Sequence, residues 1–395
     1  MTGDRSVSLQ VVQCVLTFSQ LLLRLSMSLL DLVSGFTARV ADAWYGPPLI
    51  TDATGTEEEY LARYHDVSPA GCGATTTMSK PKPTVLGEGA FGSVRLVRDV
   101  CANADGIQYA VKVLCKGVSI NDDNTVYRPP KPGVLETEVE ILRRLQGNEH
   151  NLSLVGVYEG RRYLYLVTEL CLGGDLHGFR SACLQHYLGK GDAKSSVATA
   201  LLPADIVREV TITILRAVDH CHEHGVIHRD LKPANVMFKR ALDPTGKVSP
   251  IEFVDHLRLI DYGSGAYDPP QALSSGGSYE STQHTTMAGS AFYNSPEMFA
   301  RKYTNKTDVW SAGVVVYVFA AGFPDGDRLQ SVFDTMHKAP SKGERDLKGG
   351  MMPPGAASSL PDSFWQLLDK SLLVYRHRDR PSAGEVNKYS EFWKS

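Results

Sequence analysis

Three polar side chains follow a short apolar approach in the run from Val226 to Asn235. Asp230 carries a carboxylate that could accept a proton, and Lys232 carries a cation that could offset the negative charge of a phosphate. Asn235 offers an amide oxygen of the kind that hard divalent cations bind. Pro233 stiffens the turn between them. The run is a candidate catalytic loop, although one short motif of this kind can also arise by chance.

Glycines crowd a second stretch, Gly87 to Val94, which leads into a strand-like segment. Glycine lacks a Cβ, so its backbone N–H groups can approach a phosphate closely. A dinucleotide fingerprint would continue into a helix, and a P-loop would need Gly-Lys followed by Ser or Thr, so neither motif fits. A plain tight hairpin is the alternative. The residues predicted to form the loop are Gly87, Glu88, Gly89, Ala90, Phe91 and Gly92.

Lys112 stands among apolar residues on a predicted strand from Tyr109 to Leu114, and a cation in that setting needs a carboxylate partner. Three glutamates follow on a predicted helix. Glu138 lies on its apolar face and points inward, whereas Glu140 faces arginines and points to solvent. We therefore expect Glu138 to pair with Lys112; without that lysine, all three glutamates would be expected to coat the surface. The apolar face is defined by Ile141, Leu142 and Leu145.

These stretches, with several others in the same order over residues 80–394, resemble the eukaryotic protein kinase family. The run from Leu259 to Gly263 resembles the metal-binding DFG motif, with Tyr262 in place of phenylalanine. Lys232 and Ser290 resemble the serine/threonine branch, and the whole is similar to its calcium/calmodulin-dependent group. The motifs that complete the resemblance are Tyr109 to Lys112, Gly289 to Glu297, Asp308 to Gly313, and Arg380 with Pro381.

The resemblance implies a serine/threonine protein kinase that moves the γ-phosphoryl group of ATP to a hydroxyl of a protein substrate. Asp230 would orient that hydroxyl, and Lys232 would offset charge. Asn235 and Asp261 would hold Mg²⁺. The alternative is a kinase-shaped scaffold, a catalytically weak pseudokinase that has lost turnover through Tyr262 and through insertions at residues 117–134, 239–256 and 266–284.

An ATP pocket is also implied by the resemblance. Lys112, held by Glu138, would place the phosphates. Beyond a gatekeeper at Thr168, the backbone of Glu169 and Cys171 would bind the adenine. The apolar slot around the purine would be formed by Val94, Ala110 and Met237.

Arg229 places a cation beside Asp230, where a phosphate would neutralise it. Thr286, three residues before Gly289, occupies the position that commonly carries that phosphate in the family, and Thr285 is the next candidate. We expect Thr286 to be a phosphorylation site.

Strand-like segments occupy the front of the motif-bearing region, and helical periodicity dominates behind it. Ser93 to Val97 and Tyr163 to Leu170 are predicted strands, and Pro203 to Glu223 and Val309 to Ala321 are predicted helices. The fold class is therefore α+β, a two-lobed protein-kinase-like fold with a small β-rich N-lobe and a larger helical C-lobe. We expect the kinase domain at residues 80–394, with the N-lobe at about 80–168 and the C-lobe at about 172–394.

Residues 1–44 are predicted to contain an apolar, amphipathic helix, and residues 45–79 are predicted to be a linker because Gly, Pro, Thr and Ala are frequent there. Arg24 and Asp31 interrupt the apolar stretch and disfavour a membrane span. Docking of the helix on protein is favoured; a signal-like leader and membrane association through residues 1–40 are the alternatives. Since the motifs run almost to the last residue, we expect any regulatory element within the first 80 residues.

The amino-acid composition indicates the class of protein, its partners and its cellular compartment. Hydrophobic residues make up 43% of the 395 residues and charged residues 22%, which is ordinary for a globular protein. A net charge of −3 gives no sign of a nucleic-acid-binding surface, so no nucleic-acid partner is expected. Seven cysteines without a CxxC pair favour a reducing compartment, and we expect a cytoplasmic protein.

Overall fold

The computed structural model describes residues 49–50, 52–67, 83–89, 91–102, 106–120, 126–188, 201–240, 250–267, 283–339, 345–353 and 360–390. They form a small lobe built on a β-sheet and a larger helical lobe, with a cleft between them. The expected two-lobed α+β fold is confirmed. Within these residues, no helix combines the length and the apolar character needed to cross a membrane.

The small lobe contains most of the strands. Its elements are β1 (Gly55–Thr56), α1 (Glu57–Arg63), β2 (Tyr64–Asp66), β3 (Val85–Gly89), β4 (Gly92–Asp99), β5 (Ile107–Cys115), β6 (Ser119–Ile120), β7 (Val126–Tyr127), α2 (Val134–Arg144), β8 (Leu154–Glu159) and β9 (Tyr163–Thr168).

The large lobe is mainly helical, with short strand pairs near the cleft. Its elements are α3 (Leu176–Leu188), α4 (Ala204–Glu223), β10 (Val226–Ile227), β11 (Val236–Phe238), β12 (Leu257–Leu259), β13 (Ala266–Tyr267), α5 (Pro296–Phe299), α6 (Lys306–Ala321), α7 (Gly326–Met336), α8 (Leu347–Met351), α9 (Asp362–Leu367) and α10 (Ala383–Tyr389).

The main sheet has the strand order β1-β8-β9-β5-β4-β2, and β3 also pairs with β4. The central strand β5 carries Lys112, which lies opposite Val94 on β4 and Leu166 on β9. Because β5 pairs with β4 on one side and β9 on the other, the backbone position of Lys112 beside the cleft is fixed.

Helix α2 packs beside the sheet with its apolar face inward. It begins after Gly133, whose φ of +84° is a left-handed conformation that glycine adopts readily. Leu135, Val139 and Leu142 are buried, and Glu138 shares their face with 4% of its surface exposed. Glu140 instead pairs with Arg144 at 2.7 Å on the outer face. The inward and outward faces predicted from helical spacing are confirmed.

Helix α6 forms the centre of the large lobe. All of its residues from Thr307 to Ala321 are buried, as expected for a nearly all-apolar helix. Near its start, Arg380 is fully buried and donates to Glu297 at 2.5 Å and to the Lys306 carbonyl at 2.7 Å. The sequence motif that suggested this arginine–glutamate pair therefore marks a structural contact.

The predicted linker is wrong where the structure describes it. Leu49, Ile50 and residues 52–67, which we call the strap, add β1 and β2 to the sheet and lay α1 across its outer face. The physical reason is tyrosine burial: Tyr60 is 5% exposed and stacks on Tyr165 with ring centroids 4.2 Å apart. The remaining linker residues and the helix predicted within 1–44 lie outside the described residues.

Candidate active site

A cavity of about 620 Å³ opens in the cleft between the lobes. Every predicted ATP-pocket residue that the structure describes lines it, while Ala90 lies outside the described residues. The lining also includes the predicted side chains Glu138, Asn235 and Asp261, whereas Asp230 and Lys232 do not line the cavity. The predicted positions that line the cavity are Gly87, Glu88, Gly89, Phe91, Gly92, Val94, Ala110, Lys112, Glu138, Glu169, Cys171, Asn235, Met237 and Asp261.

The glycine-rich loop is the tip of the β3–β4 hairpin, where Gly89 pairs with Gly92. A Cβ on Gly92 would stand 1.8 Å from the carbonyl oxygen of Val113, so no larger residue fits without displacing β5. A Cβ on Gly87 would meet no heavy atom within 4 Å. The glycines thus serve two purposes: Gly92 lets the hairpin lie close on the sheet, and Gly87 leaves open space above the cavity.

Lys112 lies between two carboxylates. Its Nζ is 2.5 Å from Oε1 of Glu138 and 3.1 Å from Oδ1 of Asp261. Burial would lower the pKa of Lys112, but the two carboxylates outweigh it and raise the pKa above its usual range. The lysine therefore stays charged, and the predicted pairing with Glu138 is confirmed as a contact.

Asp261 begins the short turn that contains Tyr262, with a left-handed φ of +62°. Burial acts to raise the pKa of Asp261, yet the adjacent Lys112 ammonium outweighs it and the pKa lies below its usual value. A left-handed conformation is costly for a residue other than glycine and is typical of functional sites. The structure thus presents an ionised carboxylate at the inner end of the cavity.

Tyr262 is 1% exposed, and its hydroxyl has partners. Asn151 Nδ2 donates to it at 2.8 Å, and the hydroxyl donates to the Leu259 carbonyl at 3.2 Å. Burial raises the pKa of Tyr262 well above that of free tyrosine. The extra hydroxyl is therefore accommodated as a neutral, hydrogen-bonded group.

Asp230 is the centre of a polar cluster next to Asn235, a residue that lines the cavity. Lys232 Nζ lies 2.7 Å from its Oδ2, and the Ser290 hydroxyl donates to its Oδ1 at 2.9 Å. Asn235 Nδ2 donates to the Asp230 carbonyl at 2.8 Å. These bonds orient Asn235 through its amide nitrogen, which leaves its side-chain oxygen as the atom suited to a cation.

The predicted metal ligands form a donor set suited to magnesium. Asn235 and Asp261 line the same cavity and supply an amide oxygen and a carboxylate. Mg²⁺ is commonly bound by one or two protein oxygens together with phosphates and waters. The two residues fit such an ion.

Asp308 anchors the candidate catalytic loop from α6. Its carboxylate accepts from the backbone N–H of His228 at 2.8 Å and of Arg229 at 2.9 Å, and His222 Nε2 lies 3.1 Å away. Burial would raise the pKa of Asp308, but the hydrogen bond and charge of His222, with other partners, lower it. A buried carboxylate therefore holds Arg229 in its left-handed conformation, φ +64°.

The connection that follows β9 lines the cavity, and its Glu169 side chain is held by ion pairs. The Glu169 carboxylate accepts from Arg258 Nε and from the Ser153 N–H, each at 3.0 Å, and pairs with Lys239 at 3.0 Å. Burial raises the pKa of the Cys171 thiol to about 12. The Glu169 backbone N–H donates to the Ser153 carbonyl at 3.0 Å, and the Glu169 carbonyl accepts from the Thr168 hydroxyl at 3.3 Å. The binding of adenine by the Glu169 and Cys171 backbone stays a prediction.

The predicted phosphorylation sites lie on the exposed segment before Gly289. Thr285 and Thr286 are both exposed. Arg229 donates to the carbonyls of Ser264 and Gly265, each at 2.6 Å, and to the Tyr303 hydroxyl at 3.2 Å; that hydroxyl donates to the Thr286 carbonyl at 2.5 Å. These contacts use three of the five guanidinium N–H groups. Arg229 is thus bridged to the Thr286 backbone.

Sequence reasoning missed several residues that position the site. Asn151 and Tyr303 are single polar residues far along the chain from their partners, so no local motif marks them. Leu49, Ile50 and Asp52 belong to the strap, whose composition resembled a linker. One signal could have identified α1: Thr56 followed by Glu59 forms a capping box, a helix-start pattern readable from sequence.

Comparison with known proteins agrees with the site. The model of the protein kinase domain matches residues 82–392. Calcium-dependent protein kinase 5 of Solanum tuberosum is 30% identical over 305 residues, which are 76% of this chain and 46% of that protein. Calcium-dependent protein kinase 5 of Arabidopsis thaliana is 29% identical over 308 residues, 77% of this chain and 45% of that protein.

The chain thus aligns with less than half the length of these relatives. Their names agree with the expected similarity to the serine/threonine branch and its calcium/calmodulin-dependent group. With the family match covering the cleft and every motif that forms it, the chain belongs to the protein kinase family.

Proposed function

We propose that this protein transfers the γ-phosphoryl group of ATP to serine or threonine hydroxyls of a protein substrate. The observation that carries the proposal is the convergence of Lys112, Asn235 and Asp261 on one cavity, with Asp230 hydrogen-bonded to Asn235 beside it. Side chains from distant parts of the sequence thereby supply the cation, the carboxylates and the amide that phosphoryl transfer requires.

ATP would enter with its adenine against the Glu169 and Cys171 backbone. Val94 and Ala110 would cover one side of the purine and Met237 the other, because all three line the cavity, the first two from strands of the small lobe and Met237 from a strand of the large lobe. An apolar slot with few polar groups is typical of a site for a flat heterocycle. The glycine-rich hairpin would then lie over the phosphates.

Phosphate placement would depend on Lys112. Its ammonium is charged and is held by Glu138, so it can contact phosphate oxygens without swinging into solvent. Mg²⁺, when bound by Asn235 and Asp261, supplies charge neutralisation between phosphate oxygens. Much of the catalytic effect would come from this fixed arrangement of charge.

The acceptor hydroxyl would approach Asp230. The Ser290 hydroxyl already donates to Asp230 Oδ1, which is the kind of hydrogen bond that a substrate hydroxyl would make. Lys232, 2.7 Å from the same carboxylate, would offset charge on the transferring group. Asp230 would orient the hydroxyl and accept its proton, and Lys232 would stabilise the phosphoryl group in transit.

A transfer assay with γ-labelled ATP and a mixed protein substrate tests the proposal. Wild type should incorporate label into serine and threonine, and Asp230→Asn should reduce incorporation by at least about 100-fold. Equal background signal from both proteins would instead favour the scaffold alternative. A peptide library would then define the substrate sequence.

For the cellular setting, we propose a reducing compartment such as the cytoplasm. Among the cysteines that the structure describes, Cys101, Cys171, Cys183 and Cys221 are free thiols, as is usual where glutathione keeps cysteines reduced. Membrane association through residues 1–40 stays a prediction. Flotation with liposomes would test it: the full chain should float and a chain lacking those residues should not.

A further inference from the structure

The strap runs from one edge of the main sheet to the other. β1 pairs in parallel with β8, and β2 pairs with β4, so the two strap strands end the main strand order. At the β2 edge, Arg63 in α1 pairs with the buried Asp99 at 2.7 Å. At the β1 edge, the residues preceding β1 continue past the sheet to α2, the helix that carries Glu138.

Arg143 joins α2 to the strap directly. Arg143, in the last turn of α2, donates from Nη1 to Oδ1 of Asp52 at 2.6 Å and from Nη2 to the Asp52 carbonyl at 2.7 Å. Ile50 is 6% exposed and belongs to the same buried cluster as Leu135 and Val139 of α2. The Arg143 guanidinium therefore binds the strap to α2 through two hydrogen bonds, and Ile50 is buried in the core that α2 also enters.

Glu159 fixes the strap at the end of β8. Its carboxylate accepts from the backbone N–H groups of Leu49 at 2.7 Å and Ile50 at 2.9 Å. The same carboxylate pairs with Lys116 at 2.6 Å, and both side chains are buried. Lys116 directly follows β5, the strand of Lys112, so one carboxylate ties the strap to the frame that holds the active-site lysine.

Contacts along its length matter for α2 because its N-cap residue is a glycine. Gly133 has no side chain that could cap the first turn of the helix. Glu138 must nevertheless stay within 2.5 Å of Lys112, a distance that a small displacement of the helix would break. Misplacement of a reacting group by about 1 Å can cost two orders of magnitude in rate.

We propose that the strap is a built-in brace for α2, and that Ile50 and Asp52 are positioning residues that act on phosphoryl transfer through Glu138. This inference rests on the proposed function for its kinetic readout. It assigns to Leu49, Ile50 and Asp52, at the start of the strap, the task of holding the Lys112–Glu138 pair together.

Arg143→Ala tests the brace, because it removes both contacts to Asp52 from the surface of α2. We expect kcat/KM for ATP to fall about tenfold, and backbone amides of α2 to exchange faster with deuterium. Ile50→Ala should act in the same direction. The matched control is Arg63→Ala, which cuts the strap's ion pair at the far edge: it should lower Tm while leaving kcat/KM and α2 exchange unchanged.

A double-mutant cycle separates positioning from general loosening. In a Glu138→Gln background, Arg143→Ala should change kcat/KM by less than about twofold, because the group through which the brace acts is already removed. Equal losses in both backgrounds, or unchanged kcat/KM in Arg143→Ala, would overturn the proposal. If wild type transfers no phosphate, the proposed function fails, and α2 exchange in Arg143→Ala alone then decides for or against the brace.

Discussion

Asn151 donates a hydrogen bond from Nδ2 to the hydroxyl oxygen of Tyr262 at 2.8 Å, and both side chains are buried. The bond joins the segment before β8 to the turn that begins with Asp261. A phenylalanine at position 262 would fill the same space but would leave the Asn151 amide with one partner fewer. The Tyr262 hydroxyl therefore adds a hydrogen bond that holds the turn next to Asp261, the candidate metal ligand.

Tyr262→Phe should destabilise the protein while preserving transfer. Loss of a buried hydrogen-bond partner costs about 1–3 kcal/mol of unfolding free energy, and the contacts of Asp261 with Lys112 remain. Urea unfolding and the transfer assay measure the two effects. Tyr317→Phe is the matched control, since that buried hydroxyl bonds the Met351 carbonyl at 2.7 Å far from the cavity. A Tyr262→Phe protein as stable as wild type would contradict the prediction.

Glu138→Gln should lower kcat/KM for ATP by about 100-fold, because a neutral amide holds the Lys112 ammonium less firmly than a carboxylate at 2.5 Å. Glu140→Gln, on the outer face of the same helix, should leave kcat/KM unchanged. Steady-state kinetics at varied ATP measure both. Similar losses in the two variants would show that α2 is sensitive to any change of charge and would remove the special role of Glu138.

Chelation of divalent ions should abolish transfer, and added Mg²⁺ should restore it. Asp261→Asn should raise the Mg²⁺ concentration needed for half-maximal rate by at least about tenfold, because an amide binds a hard cation less strongly than a carboxylate. Asp255→Asn, an exposed position, is the control. An Mg²⁺ titration that superimposes on wild type would exclude Asp261 as a ligand.

Asp308 should make stability depend on pH at the acid end. Because its pKa is lowered in the folded protein, the unfolded chain binds the proton more tightly. Its contribution is therefore complete above the ordinary aspartate pKa of about 3.9 and is lost as pH falls through the folded value. Asp308→Asn should cost about 1–3 kcal/mol at neutral pH, and its gap to wild type should narrow in acid. Urea unfolding across that pH range measures the gap; a constant gap would contradict the expected titration.

Thr286→Ala should lower activity by more than about tenfold if a phosphate at this position adds to the contacts of Arg229, whose remaining two N–H groups can receive it. Thr285→Ala is the neighbouring control and should have a smaller effect. The assay compares both variants and a phosphatase-treated wild type. Full activity of the dephosphorylated protein would refute the prediction, and the Tyr303 bridge would then account for the order of this segment.

The sequence was sufficient to predict site residues where helical or strand periodicity and a family motif fall on the same stretch. Helical spacing alone separated inward Glu138 from outward Glu140, because only one face of α2 is apolar and that face must be buried. Lys112 was expected on a strand because β-branched and apolar residues surround it, and β5 confirms this. A local sequence pattern is sufficient to predict which side chains point inward where one face of a helix or strand packs against the core.

The strap could not be located in the same way. Its strands are two and three residues long, too short for an alternating pattern, and its helix begins with three glutamates typical of solvent. Burial of Tyr60 and Tyr64 depends on tyrosines more than 90 residues later in the chain, Tyr158 and Tyr165. Pairing over such a separation leaves no local trace in sequence.

The two edge positions of the main sheet are occupied by the short strap strands β1 and β2. This arrangement affects the solubility of the protein. Exposed edges of a sheet offer unpaired N–H and C=O groups to other chains, and long regular edges invite aggregation. Here part of the outer edge of β8 pairs with β1, and part of the outer edge of β4 pairs with β2. These two strap strands are two and three residues long. Removing the strap would uncover that backbone, so a truncated domain should self-associate at concentrations where the longer chain stays monodisperse.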